Sequence, residues 1–138
     1  MSHTRAVRLD WTGAALRFTG GGTEPNTPTV EIDGDNETAP GPMLQLLLAA
    51  AGCSGADVVL MLQKMRVELE RLSIDVAGVR REEHPKRYTH VKFTFRMSGN
   101  GLDESKAQRA VALSLEKYCS VVHSLAPDIV VEREVVIG

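Results

Sequence analysis

The feature that most constrains the fold is a long apolar segment, MLQLLLAAAGCSGADVVLMLQKM, at residues 43–65. It contains no proline and is rich in leucine, alanine and methionine, and Pro42 suits the first turn of a helix that starts there. Its residues are apolar nearly all round a helix, which predicts a central, buried helix. One small sheet would cover only one side of such a helix, so the pattern favours a dimer that shares it.

Short segments of alternating apolar and polar residues on either side of this helix predict strands. Three precede it, in RAVRLDW, ALRFTG and TPTVEID, with glycine-rich turns between them. Two longer segments follow it, ELERLSIDVAGVRRE and YTHVKFTFRMSG, and the EHPKR between them predicts an antiparallel hairpin. Asp103 is placed to cap a second helix that runs to about Cys119, and DIVVEREVVI predicts a last strand.

The resulting order of elements, βββ-α-ββ-α-β, defines the fold class. Because the strands come in antiparallel groups rather than in alternation with helices, we expect an α+β protein whose sheets are antiparallel. At 138 residues the chain is long enough to bury one hydrophobic core, so we expect a single domain, 1–138.

Charge and hydropathy exclude several classes of partner. A formal net charge of −2 provides no basic field that would attract nucleic acid or anionic lipid. The longest uninterrupted apolar run, LLLAAAGC, is too short to span a bilayer, and the N-terminal MSHTRAVRLDW lacks the apolar region of a signal peptide. We therefore expect a cytoplasmic protein without nucleic-acid or membrane partners.

The two cysteines, Cys53 and Cys119, fall on the two predicted helices. Their separation in sequence excludes a CxxC redox motif and a zinc knuckle. The fold could still bring them together as a peroxidatic cysteine and its resolving partner. In that chemistry one thiolate attacks a peroxide oxygen and becomes a sulfenic acid, which the second thiol converts to a disulfide. The alternative is that both cysteines are small buried hydrophobic residues.

His123 keeps a further interpretation open, because it lies four residues after Cys119 and a helix would place both on one face. Its imidazole could lower the pKa of that thiol, or His123, Cys119 and Cys53 could together bind a soft metal. Three ligands are few for such a site, so we predict no metal ligands.

Other residues that could carry chemistry lack the surrounding pattern. The glycine-rich GGGTEP has no lysine and serine or threonine of a phosphate-binding loop. Ser114 and Ser120 sit in no nucleophile-elbow sequence and have no acid–base relay beside them. Met61 and Met65 are spaced for packing in the helix core, although they could also line an apolar pocket.

Two sequence blocks resemble the signature motifs of a known family. PMLQLLLAAAGCSGADVVLMLQKMR and LSLEKYCSV are similar to the two motif blocks of the OsmC/Ohr family, the osmotically inducible and organic-hydroperoxide-resistance proteins. The resemblance extends from about Pro42 to the end of the chain and includes RREEHPKRYTHVKFTFRMSG. It is greater for the less characterised OsmC-like branch than for the founding peroxidases.

This resemblance implies an intertwined homodimer, with sheets wrapped around two central helices and active sites at the subunit interface. It implies that Cys53 is the peroxidatic cysteine and Cys119 the resolving cysteine. Hydrophobic organic hydroperoxides would be reduced to alcohols, as part of an oxidative stress response, and a small or lipoyl-type dithiol would reduce the disulfide again. No metal or organic cofactor is implied.

The chain departs from the peroxidase pattern in the residues that activate the thiol. The peroxidases carry a glutamate near the start of the first helix, paired with an arginine from an N-terminal loop; Met43 and Leu44 occupy the glutamate's place here, and the loop TGGGTEPNTP has no arginine. A nearby cation favours a thiolate, whereas a carboxylate at Asp57 would oppose it. A non-enzymatic dimer that binds a small ligand or senses redox state is therefore the alternative function. The cations that could replace the arginine are Arg5, Arg8, Arg17 and Lys64.

Overall fold

The computed structural model describes residues 3–138, so the first two positions of the predicted domain lie outside it. The chain is α+β, as predicted, with two three-stranded sheets and three α-helices in the described residues. The elements are β1 (Val7–Trp11), β2 (Arg17–Gly22), β3 (Thr29–Asp33), α1 (Pro42–Lys64), β4 (Glu68–Arg80), β5 (Tyr88–Asn100), α2 (Glu104–Leu113), a π-helical turn (Ser114–Tyr118), α3 (Ser120–His123) and β6 (Val130–Ile137).

The fold comprises two compact units, a first that ends at Leu46 and a second, Leu47–Gly138, with the boundary inside α1. In the first unit β1, β2 and β3 form an antiparallel sheet in sequence order, as the alternating segments predicted. The turn after β3 is organised by Asp33, which is buried and accepts hydrogen bonds from the backbone amides of Asp35 at 2.8 Å and Thr38 at 2.9 Å. These bonds lower the pKa of Asp33 from 3.8 to about 2, because they favour its charged form.

In the second unit, the predicted hairpin is confirmed: β4 and β5 pair antiparallel along their length. The last strand differs from the expectation, because β6 pairs with β5 in parallel and makes this sheet mixed. A parallel neighbour needs a long crossover connection. Here α2, the π-helical turn and α3 form that connection, and α2 begins at the predicted cap, where Asp103 accepts a hydrogen bond from the Lys106 amide at 2.8 Å.

The core of the second unit is built on β5, whose alternate residues are buried. Phe93 and Phe95 are fully buried, and their rings stack with centroids 5.9 Å apart. Helix α1 approaches β4 at Gly55, where an added Cβ would lie 2.9 Å from the Cδ1 atom of Ile74. The glycine two residues after Cys53 therefore marks a close approach between elements.

Helix α1 is buried on one face only within this chain. Val58 and Leu62 are fully buried, whereas Leu48 is 58% exposed and Leu60 is 57% exposed. The exposed face also carries Gly52, where an added Cβ would meet no atom within 4 Å. We expected a helix that is buried all round, but within a single chain only one face of α1 is buried.

Candidate thiol site

Cys53 lies near the middle of α1, half-buried, at the border between the buried and exposed faces of the helix. The residues that follow it, Ser54 and Gly55, are buried against the rest of the second unit. The close packing at Gly55 fixes the rotation of α1 about its axis. That rotation leaves the Cys53 sulfur partly open to small molecules.

Cys119 follows a π-helical turn that continues from the end of α2. Helix α2 ends at Leu113, and in the turn Ser114–Tyr118 the Cys119 amide donates to the Ser114 carbonyl at 2.7 Å, five residues back. Such π-type turns insert one extra residue and often occur at functional sites. Cys119 then leaves the helix with an extended backbone, φ −71 and ψ 100, and none of its surface is exposed.

The structure places the two cysteines close enough for Cys53 to influence the Cys119 thiol, and both are free thiols. The side chain and the charge of Cys53 are both among the causes that raise the pKa of Cys119. The two residues are thus neighbours in space, as a peroxidatic and resolving pair requires.

The surroundings of Cys119 keep its thiol protonated. Burial is the largest cause and raises the pKa, because a thiolate loses hydration there. The backbone amide of Val122 acts in the opposite direction, whereas the hydrogen bond to Cys53 and the negative charges of Cys53 and Asp57 raise the pKa further. The result is a pKa raised from 9.0 to about 11. At neutral pH Cys119 is therefore a buried proton donor.

Asp57 and Ser114 join the two elements that carry the sulfurs. The Ser114 hydroxyl, which is fully buried, donates to the Asp57 carboxylate at 2.9 Å. The sequence predicts Asp57 one helical turn from Cys53, whereas Ser114 lies in no nucleophile motif and is therefore not predicted to belong to the site. The available signal was spacing, with Asp57 four residues after Cys53 and Ser114 five residues before Cys119.

His123 does not contribute to the thiol pair. Its Nδ1 atom lies 2.8 Å from the carbonyl oxygen of Cys119, and its Nε2 atom lies 3.2 Å from that of Glu116. The ring thus contacts backbone oxygens and not sulfur. Within residues 3–138 no group of three or more His, Cys, Asp or Glu side chains is placed to hold a metal ion.

The cations named as replacements for the missing arginine fall into two groups. Arg5, Arg8 and Arg17 belong to the first unit, where the Arg17 Nε atom lies 3.9 Å from the Asp33 carboxylate. Lys64 is on α1, eleven residues after Cys53 and therefore about 16 Å further along the helix axis. At that separation its exposed charge is largely screened from the sulfur.

A cleft of about 870 Å³ shares Asp57 with the surroundings of the thiols, although neither cysteine lines it. It is lined by α1 and by the segment from α2 to the π-helical turn, through Asp57, Leu60, Met61, Lys64, Met65, Ser105, Lys106, Arg109, Leu113 and Tyr118. Among residues 3–138, Lys64 and Arg109 have neither an ion pair nor a side-chain hydrogen bond. The cleft therefore combines an apolar wall with unpaired positive charge, and Met61 and Met65 line it as well as packing in the helix.

Comparison with known proteins shows the family. The family description "OsmC-like protein" matches residues 34–134, and the chain belongs to the OsmC-like family. Protein YhfA of Escherichia coli (strain K12) is 44% identical over 91 residues, which cover 65% of this chain and 68% of YhfA.

Solved structures share the fold. A hypothetical protein from Aquifex aeolicus VF5 is 28% identical, with a TM-score of 0.86 over 99% of this chain and 98% of that one. The organic hydroperoxide resistance protein OhrB of Bacillus subtilis is 16% identical, with a TM-score of 0.59 over 98% of both chains, and shows similarity of fold alone.

Helix α1 corrects the expectation about apolar length. It has 23 residues and a window of mean hydropathy 1.7, so by length and composition it could cross a membrane, although the uninterrupted apolar run within it is short. Core helices of soluble proteins meet the same criterion. Proteins of the OsmC-like family are generally soluble, and a core helix in a soluble protein is consistent with the buried face of α1.

Proposed function

We propose that this protein is a thiol-dependent peroxidase that reduces hydrophobic organic hydroperoxides to alcohols. The observation that carries the proposal is the proximity of a half-buried cysteine, Cys53, to a fully buried one, Cys119. Because Cys119 is buried and keeps its proton, Cys53 is the sulfur that a peroxide can reach. Membership in the OsmC-like family, which has structural neighbours named organic hydroperoxide resistance proteins, agrees with this chemistry.

In the proposed cycle the Cys53 thiolate attacks the outer oxygen of the hydroperoxide. The S–O bond forms, the O–O bond breaks, and the alkoxide takes up a proton to leave as the alcohol. The Cys119 sulfur then attacks the sulfur of the Cys53 sulfenic acid; the S–S bond forms, and the hydroxyl group leaves as water with the Cys119 proton. A dithiol of the lipoyl type or a small thiol supplies two electrons that reduce the disulfide.

The environment of Cys119 suits this order of steps. The negative charge of Cys53 and its hydrogen bond are among the causes that raise the pKa of Cys119. Oxidation of Cys53 to a neutral sulfenic acid removes that charge, so the resolving thiol loses its proton more readily after the first step than before it. Premature reaction of Cys119 is thereby disfavoured.

We extend the proposal to a homodimer that shares the exposed face of α1, in which the active sites lie at the interface. Leu48 and Leu60, both more than half exposed, would be covered there, as expected for an apolar helix in a soluble protein. Leu48→Glu should yield monomers in light scattering after size exclusion. Val79→Glu, which changes an equally exposed side chain on β4, is the control and should remain dimeric.

A second candidate function is a non-enzymatic protein that binds a small ligand or senses redox state. The cleft between α1 and α2, with its apolar wall and the unpaired Lys64 and Arg109, favours it. The replacement of the peroxidases' glutamate by Met43 and Leu44 favours it as well.

Rapid mixing of the reduced protein with cumene hydroperoxide separates the two candidates. Under the peroxidase proposal the wild type loses both thiols quickly, Cys53→Ser loses neither, and Cys119→Ser accumulates a sulfenic acid. Loss no faster than that of free cysteine would refute the peroxidase and leave the ligand-binding function.

A further inference from the structure

The hydrogen bond between Asp57 and Ser114 directly links the elements that carry the two sulfurs. Asp57 follows Cys53 by one helical turn on the same face of α1, since residues four apart are neighbours on a helix surface. Ser114 begins the π-helical turn and binds Asp57 through its side chain at 2.9 Å. Its carbonyl accepts from the Cys119 amide at 2.7 Å. One residue thus connects Cys119 to the helix of Cys53.

The Ser114–Asp57 hydrogen bond is shielded from water and has a charged acceptor. Ser114 is fully buried, so no water replaces Asp57 as a partner without a change in packing. A serine within a helix ordinarily bonds the carbonyl four residues back, whereas the Ser114 hydroxyl reaches across to α1 instead. The acceptor is a carboxylate, and hydrogen bonds to charged acceptors are about twice as strong as neutral ones.

Electrostatics alone does not explain a carboxylate at this position. The charge of Asp57 raises the pKa of Cys119 and so opposes the loss of the proton that the resolving step requires. Disulfide formation also demands geometry, because the attacking sulfur must meet the Cys53 sulfur opposite the departing hydroxyl. A displacement of about 1 Å in such a step can reduce the rate about a hundredfold.

We infer that Asp57 and Ser114 form a positioning pair that holds Cys119 against Cys53 for the disulfide-forming step. The inference rests on the proposed two-cysteine cycle and assigns neither residue a contact with substrate. Loss of the hydrogen bond lets the π-helical turn move away from α1, so the sulfenic acid on Cys53 persists. A second hydroperoxide molecule then oxidises it to sulfinic acid.

The test follows the two steps separately by rapid quenching and intact mass spectrometry after mixing with cumene hydroperoxide. Asp57→Ala and Ser114→Ala should oxidise Cys53 no more slowly than the wild type, form the disulfide about tenfold more slowly or worse, and accumulate sulfinic acid. Asp57→Asn keeps an acceptor for the serine hydroxyl and removes the charge that opposes deprotonation of Cys119, so it should form the disulfide at least as fast as the wild type. Ser120→Ala removes an exposed hydroxyl next to Cys119 and serves as the matched control.

Diamide provides a second measurement that needs no peroxidase activity. One thiol adds to its N=N bond, and the second thiol displaces the hydrazine as the disulfide forms, so the rate reports the geometry of the two sulfurs. The inference predicts slower diamide-driven disulfide formation in Asp57→Ala and Ser114→Ala, with at least the wild-type rate in Asp57→Asn and the wild-type rate in Ser120→Ala. Wild-type rates in the two alanine variants would overturn it. Slow oxidation of wild-type Cys53 by hydroperoxide with the predicted diamide pattern would overturn the peroxidase alone.

Discussion

The environment of Cys119 predicts that the two thiols alkylate at very different rates in the folded protein. A thiol reacts with iodoacetamide through its thiolate. At pH 8 a cysteine of pKa 9.0 is about one-tenth thiolate, whereas Cys119, with a pKa raised to about 11, is about one-thousandth thiolate. The loss of thiolate alone slows alkylation about a hundredfold, and complete burial slows it further.

The assay is alkylation of the reduced wild type at pH 8, with peptide mass spectrometry to quantify each cysteine at early times, before Cys53 is extensively modified. Free cysteine and the protein unfolded in guanidinium are the references, and in the unfolded protein both cysteines should react alike. Cys119 in the folded protein should react at least about a hundredfold more slowly than in the unfolded protein.

The variant Cys53→Ser separates the influence of Cys53 on the Cys119 pKa from that of burial. It removes the charge and the thiol side chain that help Cys119 to keep its proton, but it leaves the burial, which is the largest cause. Cys119 should therefore alkylate faster in this variant than in the wild type, yet still more slowly than free cysteine. Alkylation of wild-type Cys119 at the rate of free cysteine would refute its burial as a protonated thiol, and an unchanged rate in Cys53→Ser would refute the influence of Cys53 on it.

Three further predictions concern stability. Asp33→Asn should remove a contribution to stability that depends on pH. The lowered pKa of Asp33 stabilises the fold above pH 3.8, and this stabilisation is lost as the pH falls through about 2. Over this range the free energy of unfolding in urea should therefore fall more in the wild type than in the variant. Equal pH dependence would contradict the role of Asp33. Asp103→Ala should cost about 1 kcal/mol of unfolding free energy by removing the N-cap of α2, and Asp103→Asn should cost little; equal losses would argue against the cap. Gly52→Ala should stabilise a lone chain by about 1 kcal/mol through helix propensity, whereas a partner packed on α1 reverses the sign. Thermal unfolding of Gly52→Ala, beside Gly55→Ala at the close approach to β4, therefore tests the proposed dimer, and stabilisation by Gly52→Ala would count against it.

The elements with strong local signals were predictable from sequence. Alternation around Phe93 and Phe95 predicted β5, because one face of a strand in a half-buried sheet must be apolar. Asp103 predicted the start of α2, because an N-cap is a bond between residues three apart in sequence. The helix 43–65 differs from the observed α1 by one residue at each end.

The prediction was less complete where distant parts of the chain decide the outcome. The parallel pairing of β6 depends on the crossover through α2 and α3, which no local pattern in DIVVEREVVI records. The half-exposed state of α1 depends on which of its faces the rest of the chain covers, and an all-round apolar sequence carries no information about that.

For the candidate site, the sequence by itself determined the chemical groups: two cysteines far apart in the chain, inside the motifs of one family, without the usual glutamate and arginine. The second cysteine, predicted at the end of a helix, lies just after the π-helical turn in an extended conformation. Only the tertiary structure decided that Cys119 lies close enough to Cys53 to be influenced by it and that burial keeps its proton in place. The physical reason is that reactivity depends on desolvation and on contacts a few ångströms long. The two cysteines are separated in the chain by the β4–β5 hairpin, and the fold brings their segments together where Ser114 donates a hydrogen bond to Asp57 of α1.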